Sequence, residues 1–250
     1  MEYQDINAQT IDRWIEEGWE WGLPISSKCF SEARAGNWDV LLTPTKPVPH
    51  SWFGALEGKH ILGLASGGGQ QMPIFTALGA TCTVLDYSRK QLDSEAMVAD
   101  REGYNIRIIR SDMTKPLPFG DHEFDLIFHP VSNCYVEKVE PIFRECFRVL
   151  KPGGILMCSL CNEINYMVDA DETAVRYAMP FNPLLNPAHK QLLEEEDCGI
   201  QFSHTIEEQL GGQLKAGFIL TDLYGDTNGA GRLHEMKIET YYATRAVKPL

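Results

Sequence analysis

From residue 60 onward, short apolar runs alternate with amphipathic stretches. HILGLA (60–65) predicts a buried strand, followed by a glycine cluster and a helical stretch, QMPIFTALG, that closes at Gly79. TCTVLD (81–86) predicts a second strand. SRKQLDSEAMVADREG (88–103) has the pattern of an amphipathic helix, with Ser88 as N-cap and Gly103 at its C-terminal end. NIRIIR (105–110) and FDLIFH (124–129) read as further strands. VEPIFRECFRVLK (139–151) reads as a helix stopped by Pro152-Gly153-Gly154, and GGILMCSL (153–160) as the fifth strand. Thr205-Ile-Glu-Glu208 is a capping-box pattern that opens a helix to about Lys215. GFILTDLY (217–224) and ETYYATRAV (239–247) supply two closing strands. Short apolar strands separated by helices predict a parallel sheet covered on both faces.

Two regions depart from this rhythm. Residues 162–200 contain three prolines among mixed polar and aromatic residues and read as an insertion, helical in part. The first 52 residues hold all five tryptophans: Trp14, Trp19, Trp21, Trp38 and Trp52. IDRWIEEGWEWG (11–22) predicts a helix ending near Gly22, which would put Trp14 and Trp21 on one face and Trp19 off it. TPTKPVP (43–49) is an extended connector, because proline removes amide donors and biases the residue before it away from helix. A boundary is therefore expected near residue 50, with residues 1–50 as a helical, tryptophan-rich lid and residues 51–250 as the main domain. The aromatic segment either packs against the sheet or closes over a ligand. The lid is the expected reading, because aromatic side chains supply apolar walls with polar tips.

A strand, a glycine-rich turn and a helix form a nucleotide-handling unit, in which glycines allow close backbone approach and the helix start offers free amides. Asp86 ends the second strand 19 residues after Gly67, where a carboxylate can accept both ribose hydroxyls of an adenosine. Asp112 follows the third strand and is placed to meet the adenine amino group. The dinucleotide fingerprint G-x-G-x-x-G fails in both registers: counted from Gly67 its third position is Met72, and counted from Gly63 its second is Ala65. An acid for ribose without a pyrophosphate fingerprint points to a cofactor with adenosine and no phosphates, S-adenosylmethionine being the common one.

At these residues the chain resembles the class I S-adenosylmethionine-dependent methyltransferases, nearest the type 11 group that includes ubiquinone/menaquinone-biosynthesis methyltransferases. ILGLASGGGQ resembles the first motif, with Ala65, Gly67 and Gly69 on its three glycine positions, and VLDYS the second, with Asp86 at the acidic position. SDMTKPLPFGDHEFDLIFHPV resembles the adenine-side loop and fourth strand. FRECFRVLKPGGILM resembles the helix, turn and fifth strand that follow. The match covers roughly residues 55–160. It implies a Rossmann-like α/β fold of seven strands, six parallel and the last antiparallel, with three helices on each face. It also implies direct in-line methyl transfer, with neither a covalent enzyme intermediate nor a metal. The cofactor set it implies is Ala65, Ser66, Gly67, Gly69, Asp86 and Gln91, with Tyr87, Asp112 and Met113 toward adenine and Gln70 and Gln71 toward the amino-acid end. The family usually has Asp or Glu two residues before the first glycine, where this chain has Gly63.

His129 ends the fourth strand, at the edge where the family brings methyl donor and acceptor together. It is a candidate general base, a cofactor contact, or an anchor for the HPVSNCY loop, with Ser132, Asn133 and Tyr135 as candidate pocket residues. Cys158 and Cys161 form a C-x-x-C pair with no second pair at zinc spacing, and residues three apart on a strand face opposite sides, so they read as unrelated thiols. Lys plus Arg is 22 and Asp plus Glu is 35, a formal net charge of −13. That acidity argues against nucleic acid and anionic membrane as partners and leaves a small-molecule methyl acceptor. The uncharged stretch 61–85 is too rich in Gly, Gln and Pro for a membrane helix. Seven scattered cysteines and a start without a signal-peptide pattern point to the cytoplasm. Two alternatives stand beside the enzyme: a non-catalytic S-adenosylmethionine/S-adenosylhomocysteine-binding module on the same fold, and a nicotinamide dehydrogenase.

Overall fold

The computed structural model describes residues 2–250. Seven strands, β1 (His60–Leu64), β2 (Thr81–Asp86), β3 (Arg107–Arg110), β4 (Phe124–His129), β5 (Leu150–Cys161), β6 (Ile219–Asp226) and β7 (Tyr241–Val247), form one sheet. Their order is β3-β2-β1-β4-β5-β7-β6. β7 runs antiparallel to both neighbours and the other pairs are parallel, as expected.

Alternation along each strand sends side chains to two faces. Ile61, Val84, Leu126, Phe128 and Met157 enter one core. Leu62, Leu64, Leu85, Ile127 and Leu156 enter the other. The first face is covered by α2 (Ser27–Arg34), α3 (Gln71–Ala77) and α4 (Arg89–Glu102). The second is covered by α5 (Glu140–Val149) and α8 (Gly212–Ala216), with Leu117 and Phe119 from the β3–β4 connection filling the place of an expected third helix. α5 stops at Val149, two residues early, because Leu150 already pairs with Phe124 of β4. Ser88 caps α4 by accepting from Gln91 N–H, and Gly103 closes it at φ +70°.

The first 56 residues divide into two parts. Val40, Leu42, Val48, Trp52 and Phe53 belong to the same core as the sheet. Phe53 and Phe128 both pack on Phe75, with ring centroids 5.6 and 5.3 Å away. Each such ring buried contributes roughly 2–3 kcal/mol, so the proline-rich run 43–49 marks no break in packing. The helix expected at 11–22 is instead α1 (Tyr3–Glu16), and the chain turns at Gly18, φ +88°. Trp14 therefore packs on Trp19 at 5.2 Å rather than sharing a face with Trp21.

The region 162–200 folds with α6 (Ile164–Met167) and α7 (Pro187–Glu195) around a small cluster of its own, Tyr166, Phe181 and Leu193 with Cys134. It sits beyond the carboxyl ends of β4 and β5, and α9 (Gly231–Glu235) precedes β7. Cys158 lies in the second sheet core and Cys161 against the insertion cluster, so the C-x-x-C thiols part company. Among the described residues no helix is long and apolar enough to cross a membrane. The uncharged stretch 61–85 is β1, the glycine turn, α3 and most of β2.

Candidate active site

β1 delivers the chain to a turn at the carboxyl edge of the sheet. Ala65 sits at φ +47°, a conformation that costs a non-glycine residue about 1–2 kcal/mol. Gly67 N–H donates to Asp86 Oδ2 at 3.1 Å and Gly69 N–H to Glu95 Oε2 at 3.0 Å. A β-carbon on Gly67 would stand 2.6 Å from Gln91 Cβ. Glycine is required here because α4 packs directly on the turn.

Glu95 is fully buried beneath the turn, and its Oε1 has no partner. Burial pushes its carboxyl up to about 8, opposed by the Gly69 N–H and reinforced by Asp86. Burial likewise raises Asp86 above the usual carboxylate range, against the N–H groups of Ser88 and Gly67. These two N–H groups engage one oxygen each. Each Asp86 oxygen thus keeps a second lone pair, which suits a pair of ribose hydroxyls.

Gly63 has a packing reason. A β-carbon there would lie 2.8 Å from Met72 Sδ and 3.0 Å from its Cγ and Cε. The thioether of Met72, itself fully buried, fills the space that an acid would need.

α1 crosses the loops that follow β2, β3 and β4. Tyr87 Oη donates to Asp5 Oδ1 at 2.9 Å, Ser88 Oγ to Asp12 at 2.5 Å, and Gln4 Nε2 to Thr114 Oγ1 at 3.3 Å. Asn7 exchanges bonds of 2.6 and 2.9 Å with the backbone of Ile200 and donates to Tyr135 O at 3.3 Å. Asp12 also accepts from Lys90 N–H at 3.0 Å, which places a carboxylate at the start of α4 where the helix dipole favours it.

A cavity of about 850 Å³ opens from the turn toward the insertion. Ala65, Ser66, Gly67, Gln70, Gln71 and Gln91 line it. Gln91 Oε1 is buried without a partner, Ser66 Oγ donates to Gln71 Oε1 at 3.0 Å, and Gln70 Nε2 donates to the carbonyls of Glu20 and Leu23. The other six predicted residues lie off the cavity wall. Gly69 packs on Val98 and Ser94 of α4. Asp86 and Tyr87 lie under α1. Asp112 accepts from Thr114 N–H at 2.8 Å, and Met113 packs on the second core.

His129 is the sixth. It is fully buried, with Nδ1 2.8 Å from Leu64 O and Nε2 2.8 Å from the Asn133 side chain. Burial lowers its pKa, against the hydrogen bonds from Leu64 and Asn133. Both neighbours are acceptors, Leu64 O at Nδ1 and Asn133 Oδ1 at Nε2, so a neutral ring donates to one of them at a time. Both nitrogens point into the protein, and the ring has no face on the cavity. To act as a general base His129 would have to give up one of these bonds. In this geometry the ring ties β4 to β1 and to the 132–135 loop.

The far end of the cavity was not foreseen residue by residue. Trp14 and Trp19 line it, together with Tyr166, Phe181 and Leu193 from the insertion and Tyr241 from β7. Residues so far apart in sequence leave no local motif. The tryptophan excess of the N-terminus was the one usable signal.

Comparison with known proteins agrees with this architecture. A family model described as a methyltransferase domain matches residues 62–158. The chain is 40% identical over 249 residues to the uncharacterized methyltransferase YbaJ of Bacillus subtilis, covering 97% of each. Its fold matches an S-adenosylmethionine-dependent methyltransferase from Mesorhizobium loti at TM-score 0.61, with 21% identity, covering 79% of this chain and 94% of that one. It also matches the Burkholderia thailandensis 1,6-didemethyltoxoflavin-N1-methyltransferase, solved with 1,6-didemethyltoxoflavin and S-adenosylhomocysteine, at TM-score 0.62 and 16% identity, covering 99% and 89%. The chain belongs to the S-adenosylmethionine-dependent methyltransferases, in the type 11 group, with S-adenosylmethionine as its cofactor.

Proposed function

We propose that the protein transfers the methyl group of S-adenosylmethionine to a small-molecule acceptor by direct in-line displacement. The observation that carries this reading is a single cavity that joins the glycine turn to an aromatic chamber. Beside it, off the cavity wall, Asp86 holds the ribose at the turn. Tyr87, Asp112 and Met113 flank adenine beneath α1, and the Ala65–Gly69 turn follows the cofactor backbone. Gln70, Gln71 and Gln91 face the methionine portion. With Met72 in the place of the usual acid, Glu20 lines the cavity and its backbone carbonyl accepts from Gln70 Nε2.

The protein's part in the chemistry is positional. The acceptor atom is held about 3–3.5 Å from the methyl carbon and in line with the departing sulfur, which converts an encounter into a unimolecular step. α1 with Trp14, Trp19 and Trp21 acts as the cover that excludes water, on a main domain beginning near residue 51 and carrying an insertion at 162–200. The solved structure of similar fold with bound 1,6-didemethyltoxoflavin supports a small-molecule acceptor here. The net charge of −13 disfavours nucleic acid and anionic membrane. Seven unpaired thiols support a reducing compartment, the cytoplasm. Incubation with a labelled methyl donor and a small-metabolite extract tests the proposal. Label on a metabolite supports it, and cofactor binding without transfer contradicts it.

A further inference from the structure

We propose, resting on the reading of the cavity as the acceptor site, that the acceptor carries no anionic group. It is an uncharged or cationic molecule with an aromatic or apolar body, not a carboxylic acid, phosphate or sulfate ester.

The charges around the cavity carry the argument. Among the described residues, no Lys, Arg or His lines it, whereas Glu20, Asp39, Asp169, Glu172 and Glu196 do. Of the basic side chains nearby, Arg13 pairs with Asp197 at 2.6 Å and Lys190 with Glu194 at 3.4 Å, while Arg176 answers the rim carboxylate Asp169 itself at 3.3 Å. His129, the histidine at this sheet edge, is turned into the core. An anion entering the chamber would lose its water without meeting a cationic side chain, and burying a charge that the protein does not pair is costly.

A neutral or cationic body meets the opposite conditions. The rings of Trp14, Trp19 and Tyr166 line the cavity and offer apolar contact and π-systems that attract a cation. Tyr135 and Tyr241 also line the cavity, and their phenol groups can orient a polar atom of the acceptor. In the transfer, a lone pair on the acceptor forms the bond to the methyl carbon as the carbon–sulfur bond breaks. That bond's electron pair goes to sulfur, giving S-adenosylhomocysteine. Any proton on the acceptor atom leaves to a rim carboxylate or to water.

Calorimetry on the full chain tests this with three probes sharing one ring body: 3-ethylindole, tryptamine and indole-3-propionate, each titrated with and without S-adenosylhomocysteine. The neutral and cationic probes are expected to bind at least about 30-fold more tightly than the acid, about 2 kcal/mol at 1.4 kcal/mol per tenfold. Glu196→Lys, on an exposed rim position, is expected to narrow that gap at least threefold. An acid that binds within threefold of the other two, or no binding by any of the three, would overturn the proposal. Loss of S-adenosylhomocysteine binding with the ranking intact would count against methyl transfer and leave the selectivity standing.

Discussion

Glu95→Gln offers a quantitative test of how the cofactor turn is held. Glu95 is fully buried, accepts only the Gly69 N–H, and has its carboxyl raised from 4.5 to about 8, chiefly by burial. The unfolded chain releases this proton near pH 4.5 and the folded chain near pH 8. Between those values the folded state holds one more proton, so stability falls as pH rises. At about 1.4 kcal/mol per unit, the loss by pH 7 is on the order of 3 kcal/mol. Glutamine keeps the shape and the oxygen that receives Gly69 N–H but cannot ionise. Urea denaturation of both proteins from pH 4.5 to 8 reads the effect. The difference in unfolding free energy should move in favour of the variant by on the order of 3 kcal/mol between pH 4.5 and 7. A difference that stays flat within about 0.5 kcal/mol across that range, near the usual scatter of additivity, would refute the assignment of a protonated Glu95 beneath the turn.

Three further outcomes follow from the packing. Gly63→Ala should lower stability by about 1–3 kcal/mol through contact with Met72; pairing it with Met72→Ala in a double-mutant cycle should recover part of that loss, and strict additivity would argue against the contact. Asn7→Ala removes the buried bonds to Ile200 and Tyr135, at a cost of about 1–3 kcal/mol, and should speed S-adenosylhomocysteine release in stopped-flow; an unchanged off-rate would count against α1 as a cover. His129→Gln should lower stability yet leave the shape of the kcat/KM pH profile unchanged, because both ring nitrogens face acceptors inside the protein. Loss of a limb below the ordinary histidine range would support it as a base.

How much was legible in the sequence depends on which interactions make each element. β1, β2, β4 and β5 were readable because they are buried on both faces and appear as continuous apolar runs. The glycine turn and Asp86 were readable because their spacing is local. α1 was misplaced because its anchors are polar: Asp5, Asn7 and Asp12 bind loop groups that arrive from residues 87, 88, 90 and 200. A hydrophobic period cannot register such contacts. His129 stood at the expected edge, but a sequence does not say which way a ring turns. Its burial depends on Leu64 and Asn133, contributed by another strand and by the loop beyond. The Gly63 departure likewise becomes intelligible only when Met72, nine residues on, folds back into the same space.

The central claim is that adenosine binds at Asp86 under α1, and calorimetric titration of S-adenosylhomocysteine into the wild type and Asp86→Asn tests it most directly. Loss of the charge-assisted bonds to ribose should weaken binding by at least about tenfold, the ~1.5–3 kcal/mol typical of hydrogen bonds to a charged group. A thermal melt confirms that the variant remains folded. Equal affinity for the two folded proteins would contradict the account.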